Sequence, residues 1–161
     1  MTHRSIVLLA GCAFAGSLTA SQASINAELI VTSKSAEVFR AWEHPDGKKF
    51  EVTHVKIANR GEFLAAIVLF KDCKADVSGN CNVSLDIAAF DPSGKVYGEM
   101  LGKELWRGKA APRSGHTQLG VDYMGLVIEP NDPAGTYKVT VKLTDLNANT
   151  ELNVSTQFDV K

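Results

Sequence analysis

From Gly135 to Val160 the chain alternates apolar and polar residues almost without a break, and a two-residue period is what a half-buried β-strand requires. Tyr137, Val139, Val141 and Leu143 share one parity, against Lys138, Thr140, Lys142 and Thr144 on the other. The polar stretch Asp145 to Thr150 follows, and Leu152, Val154, Thr156, Phe158 and Val160 then line one face of a second strand. The pattern predicts a C-terminal β-hairpin with one face on a core.

The preceding chain continues in the same style. Asn82 to Phe90 alternates, with Val83, Leu85, Ile87 and Ala89 facing one way and Asn82, Ser84 and Asp86 the other. Phe63 to Phe70 is apolar on both parities, the mark of a central strand covered on both faces. Asp91-Pro92-Ser93-Gly94 has type I turn chemistry, with proline presetting φ and glycine ending the turn. A short strand is expected over Val96 to Glu99, and an irregular loop from Met100 to His116. Parity slips between Val52 and Val55, predicting a bulge near His54, and again around Gly125. Ser35 to Trp42 fits a short helical turn or an edge strand. Many short strands with turn signals between them, and no helix of ten residues, predict an all-β antiparallel sandwich of about seven to nine strands.

Compartment is read from the other end. Arg4 precedes an apolar run from Ile6 to Leu18, and Ser21-Gln22-Ala23 supplies the small residues of a signal-peptidase site. The run is shorter than the roughly 20 apolar residues that span a bilayer. The expectation is a signal peptide over 1–23 and a single domain over 24–161, periplasmic or secreted. Leu9-Ala10-Gly11-Cys12 also matches a lipobox, which makes acylation of Cys12 the alternative, although the apolar run continues beyond it.

Removing 1–23 from the 161 residues leaves Cys73 and Cys81 as a pair, and 16 basic against 18 acidic side chains. A near-neutral balance argues against a general nucleic-acid binder. In an oxidising compartment the cysteine pair reads as a disulfide pinning a hairpin connection, stabilising by roughly 2–3 kcal/mol on the chain-entropy model.

Residues 90–160 resemble the immunoglobulin-like sandwiches of exported bacterial proteins, including the macroglobulin type. The resemblance rests on Asp91 to Gly94, on Gly135-Thr136-Tyr137 and on the closing Phe158 to Val160. It implies an immunoglobulin-like fold and names no function. In that family a bridge joins opposite sheets, whereas Cys73–Cys81 is expected to staple one local hairpin.

The chain carries no nucleophile elbow, zincin motif, phosphate loop or dinucleotide fingerprint. It is therefore expected not to be an enzyme, and no cofactor is expected. His44, Asp46 and His54 are the weak candidates for a metal, read more simply as a solvated turn and a strand histidine. Copper-carrying periplasmic sandwiches place a histidine at or near the mature N-terminus, where Ser24 to Glu28 offers none. Trp106, Arg107, Lys109 and Arg113 have the composition of a recognition loop, with a core plug as the plainer reading of Trp106. The functional expectation is an exported binding or accessory subunit of an envelope assembly, its partner an unidentified envelope protein. A small-ligand or metal-binding module is the alternative. A fibre subunit would need an incomplete sandwich with an open groove, and the closing strand is present.

Overall fold

The computed structural model describes residues 24–44 and 51–161. The expected signal segment with Cys12, and Asp46 and Phe50, lie outside the described residues.

Two sheets enclose one core. In the short sheet, β3 (Phe63–Lys71) pairs antiparallel with β1 (Asn26–Thr32) along one edge. Its other edge is shared by β6 (Gln118–Leu119) at one end and β7 (Met124–Val127) at the other. The long sheet has the order β2 (Ile57–Ala58), β9 (Thr150–Val160), β8 (Gly135–Asp145), β4 (Asn80–Phe90), β5 (Val96–Ala110). It is antiparallel except where β2 runs parallel to the end of β9. The fold is thus an all-β sandwich of nine strands, with one helix, α1 (Ser35–Glu43), among the described residues.

Alternation explains the core. Val83, Leu85, Ile87 and Ala89 of β4 are buried, as are Tyr137, Val139, Val141 and Leu143 of β8, and they face Leu64, Ala66, Val68 and Phe70 of β3. The other parity of β3 is apolar because the short sheet is covered outside as well. Ala65 and Ile67 pack with Ile30 of β1 and Val38 of α1, flanked by Phe39, Val52, Leu69 and Leu119. The ambiguous segment from Ser35 is therefore a helix, with Val38 its inward anchor. Packing holds it, since no side chain caps its N-terminus.

Four expectations are corrected. The Cys73–Cys81 connection is not a hairpin: β3 and β4 belong to different sheets, so the bonded pair closes a crossover between the layers, with Cα atoms 6.0 Å apart. No strand bulge forms at His54. Val52 packs outside the short sheet and Val55 against the inner core, so parity changes because the chain rounds the edge of β1. Gly125 sits in regular register opposite Ala65. The expected loop from Met100 is largely strand, as β5 runs on to Ala110. Its pairing with β4 shifts register four times, and Gly102 and Gly108 both adopt φ of +63°, a region glycine enters freely. These irregularities erase the two-residue period by which β5 would have been recognised.

Candidate docking site

His54 bonds across the gap between the two sheets. Its Nδ1 accepts the Val31 backbone N–H at 3.2 Å, and its Nε2 lies 3.0 Å from Thr156 Oγ1 and 3.3 Å from the Gln157 carbonyl oxygen. An accepting Nδ1 leaves the proton on Nε2, facing β9. His54 is thereby a fastener between β1 and β9. His44 is exposed at the end of α1, where its backbone N–H bonds the Arg40 carbonyl. Among the described residues, no three His, Cys, Asp or Glu side chains gather where they would hold a metal. Of the candidate set His44, Asp46 and His54, Asp46 lies outside the described residues.

The expected recognition loop is rearranged as well. Trp106, Arg107 and Lys109 lie on β5, and only Arg113 lies in the connection to β6. Trp106 is half-buried against the core, its ring centroid 5.5 Å from that of Phe70 and its Nε1 donating to the Ala110 carbonyl at 3.0 Å. Lys109 Nζ stands 5.3 Å from the Trp106 ring centroid. Arg107 pairs with Glu104 at 3.5 Å, an exposed pair of small energetic weight. Trp106 thus packs partly against the core, with Lys109 beside its ring.

A different surface stands out. Phe63, Val121, Tyr123 and Val127 are 47 %, 47 %, 40 % and 38 % exposed, and all belong to β7, its cross-strand partner or the residues leading into it. Phe63 pairs with Val127, and its ring covers Gly125; a Cβ there would fall 2.9 Å from the ring, so a larger residue would require the Phe63 ring to shift. Tyr123 packs against Phe39 of α1 with ring centroids 4.9 Å apart, and Trp42 of the same helix is also exposed. The result is an apolar, aromatic surface on the outer face of the short sheet. In sequence Val121 and Tyr123 show only as a parity out of step with Leu126 and Ile128, and that broken pattern carries no signal of an exposed surface.

Next to this surface the two sheets meet edge to edge. Tyr97 to Met100 of β5 and Met124 to Val127 of β7 wall a groove of ≈ 230 Å³. One end is closed by Tyr97, whose hydroxyl lies 2.7 Å from the Val127 carbonyl oxygen and 2.5 Å from Asp132 Oδ2. Burial, reinforced by the Asp132 carboxylate, pushes the Tyr97 phenol up to about 12. Asp132 is itself fixed by the Glu129 N–H at 2.7 Å. At the other end the Val121 N–H reaches the Leu105 carbonyl at 3.0 Å, and the Glu104 N–H reaches Asp122 Oδ2 at 3.0 Å. Between those closures no backbone hydrogen bond joins β5 to β7 among the described residues.

No family model matches the chain. No curated protein matches it either. Among solved structures, it is similar to an alkylpurine DNA glycosylase of Pseudomonas fluorescens at 15% identity and TM-score 0.44, covering 86% of this chain and 31% of that one. A family 123 glycoside hydrolase of Clostridium perfringens is similar at 8% identity and TM-score 0.43, with coverage of 84% and 27%. A Niemann-Pick type C2 protein of the Japanese carpenter ant follows at 10% identity and TM-score 0.41, with coverage of 83% and 89%. The chain thus spans about a third of the first structure's length and less of the second's. The expectation that the chain is not an enzyme is corrected here: two of these three structures are enzymes. The likeness is one of fold and assigns no reaction.

Proposed function

We propose that the chain works outside the cytoplasm as an immunoglobulin-like binding domain, an accessory part of an envelope assembly. Its partner protein is held on the apolar surface around Phe63, Tyr123 and Val127. The observation that carries this reading is the contiguity of those exposed side chains beside a helix that leaves them open. Scattered surface apolar residues are ordinary, whereas a contiguous aromatic patch marks an interaction surface, and aromatic anchors dominate binding energy. Export is supported by the Cys73–Cys81 bridge, which persists in oxidising compartments. Among the described residues no helix is long and apolar enough to cross a membrane. The immunoglobulin-like assignment is supported by Tyr137, whose hydroxyl donates back to the Pro133 carbonyl at 3.0 Å, as in the tyrosine corner of such sandwiches.

The test is a photo-crosslinking amino acid placed at Tyr123, with Thr140 on the opposite face of the sandwich as control, in cells of the native organism. A discrete adduct from position 123, absent from position 140 and lost with Phe63→Asp, is the expected result. Adducts from position 140 alone, or equally from both, would refute the reading.

A further inference from the structure

We infer that β7 is a strand acceptor: it pairs with an extended apolar segment of the partner, flanked by a basic side chain, which fills the groove between β7 and β5. This rests on the partner-binding reading above and names what binds there.

The backbone supplies the first argument. In an antiparallel pair, successive residues point their N–H and C=O groups alternately toward the neighbouring strand and away from it. The Val127 carbonyl is met by Tyr97 from the β5 side, and the Ile128 carbonyl by the Gly61 N–H on the β3 side. Gly125 and Val127 therefore direct their backbone groups into the groove, while Met124 and Leu126 bond β3. Of these outward groups only the Val127 carbonyl has a partner among the described residues. An edge of this kind is a template for another strand unless it is blunted by lysine, proline or a bulge. β7 has no lysine, proline or bulge, and its four residues make a short template. The opposite edge of the short sheet is closed at Val31, which bonds the Val55 N–H and His54. The edge of β5 is broken by its four register shifts.

Side chains and charge define the occupant. A strand laid along β7 turns one parity into the groove, toward Met100 and Met124, and the other toward Tyr123, Val127 and Phe63. Both environments are apolar, so the segment is apolar on both parities for about the four-residue length of β7. The two thioethers adapt to varied side chains. Nothing lies within 4 Å of where a Cβ at Gly98 would sit, which leaves room on the opposite wall. Glu99 lines the groove and Asp122 stands at its far closure, where Glu104 is already paired with Arg107; the carboxylate of Glu99 on the groove wall favours a lysine or arginine beside the apolar stretch.

The test titrates the purified chain with a fluorescent probe peptide, acetyl-Lys-Val-Ile-Ala-Val-Lys-amide, followed by anisotropy. Its glutamate-flanked counterpart is run beside it. Val127→Pro deletes one outward N–H, at a position where an edge strand tolerates proline. Val127→Ala keeps the N–H and trims the side chain. Saturable binding is expected, weakened about ten-fold by Val127→Pro and no more than about three-fold by Val127→Ala. The glutamate-flanked peptide is expected to bind more weakly. Equal loss in the two variants would overturn strand pairing while leaving side-chain docking intact. Absence of saturable binding, or self-association of the chain in place of peptide binding, would overturn the inference as well. Should Val127→Pro not fold, hydrogen exchange in the unaltered chain decides: slowing at the Gly125 and Val127 amides on peptide addition supports pairing, and no change refutes it.

Discussion

At the scale of single residues, the chemistry of this chain is mostly structural fastening. A histidine read from sequence as a possible ligand instead joins β1 to β9, because its two ring nitrogens meet a backbone N–H on one side and oxygen acceptors on the other. His54→Ala leaves the Val31 N–H without that partner, and a lost hydrogen bond with an orphaned donor costs about 1–3 kcal/mol. Equilibrium urea unfolding should show that loss, and added zinc should leave the midpoint of the parent chain unmoved. A zinc-dependent rise would restore the metal reading. Trp106 makes the same point. Its neighbours Arg107 and Lys109 suggested recognition, yet its indole is spent on Phe70 and the Ala110 carbonyl. Composition names which residues are capable of a role, and packing decides which role they take.

At the scale of elements, strict alternation was legible and irregularity was not. β4, β8 and β9 follow from parity, since each has one core face. β3 was recognisable as doubly covered, though nothing local in its sequence identifies α1 as the outer cover. β5 was hidden by its bulges, and the crossover after β3 was read as a hairpin because a short polar connection looks the same in both arrangements. That crossover is held by more than its disulfide. Asp145, fully buried, accepts the Lys74 N–H at 2.7 Å, while the Asn147 side-chain amide donates to the carbonyls of Lys74 and Asn80 at 2.9 Å each. The turn of the C-terminal hairpin thus grips the bridged loop. Cys73→Ala with Cys81→Ala should cost about 2–3 kcal/mol by the loop-entropy model, with native secondary structure kept by the Asp145–Asn147 grip. An unchanged unfolding midpoint, or loss of the fold, would contradict that division of labour.

At the scale of the whole molecule, the sandwich has one polar face and one face left partly apolar. The outer side of the long sheet carries Thr140, Lys142 and Ser155, with Lys142 Nζ 3.8 Å from Asp86 and 3.2 Å from Glu151. The short sheet is covered by α1 over Ile67 and is open over Phe63, Tyr123 and Val127. Sequence patterning foretold the two layers and their shared core. It did not place this opening, because the opening depends on where a nine-residue helix stops relative to a four-residue strand. The central claim is that β7 presents a free edge beside that opening. Residue-resolved amide hydrogen exchange of the chain alone tests it most directly: Met124 and Leu126 should be protected by β3, while Gly125 and Val127 exchange rapidly. Protection of all four amides would mean the edge is already paired, and the account of a strand-accepting surface would fail.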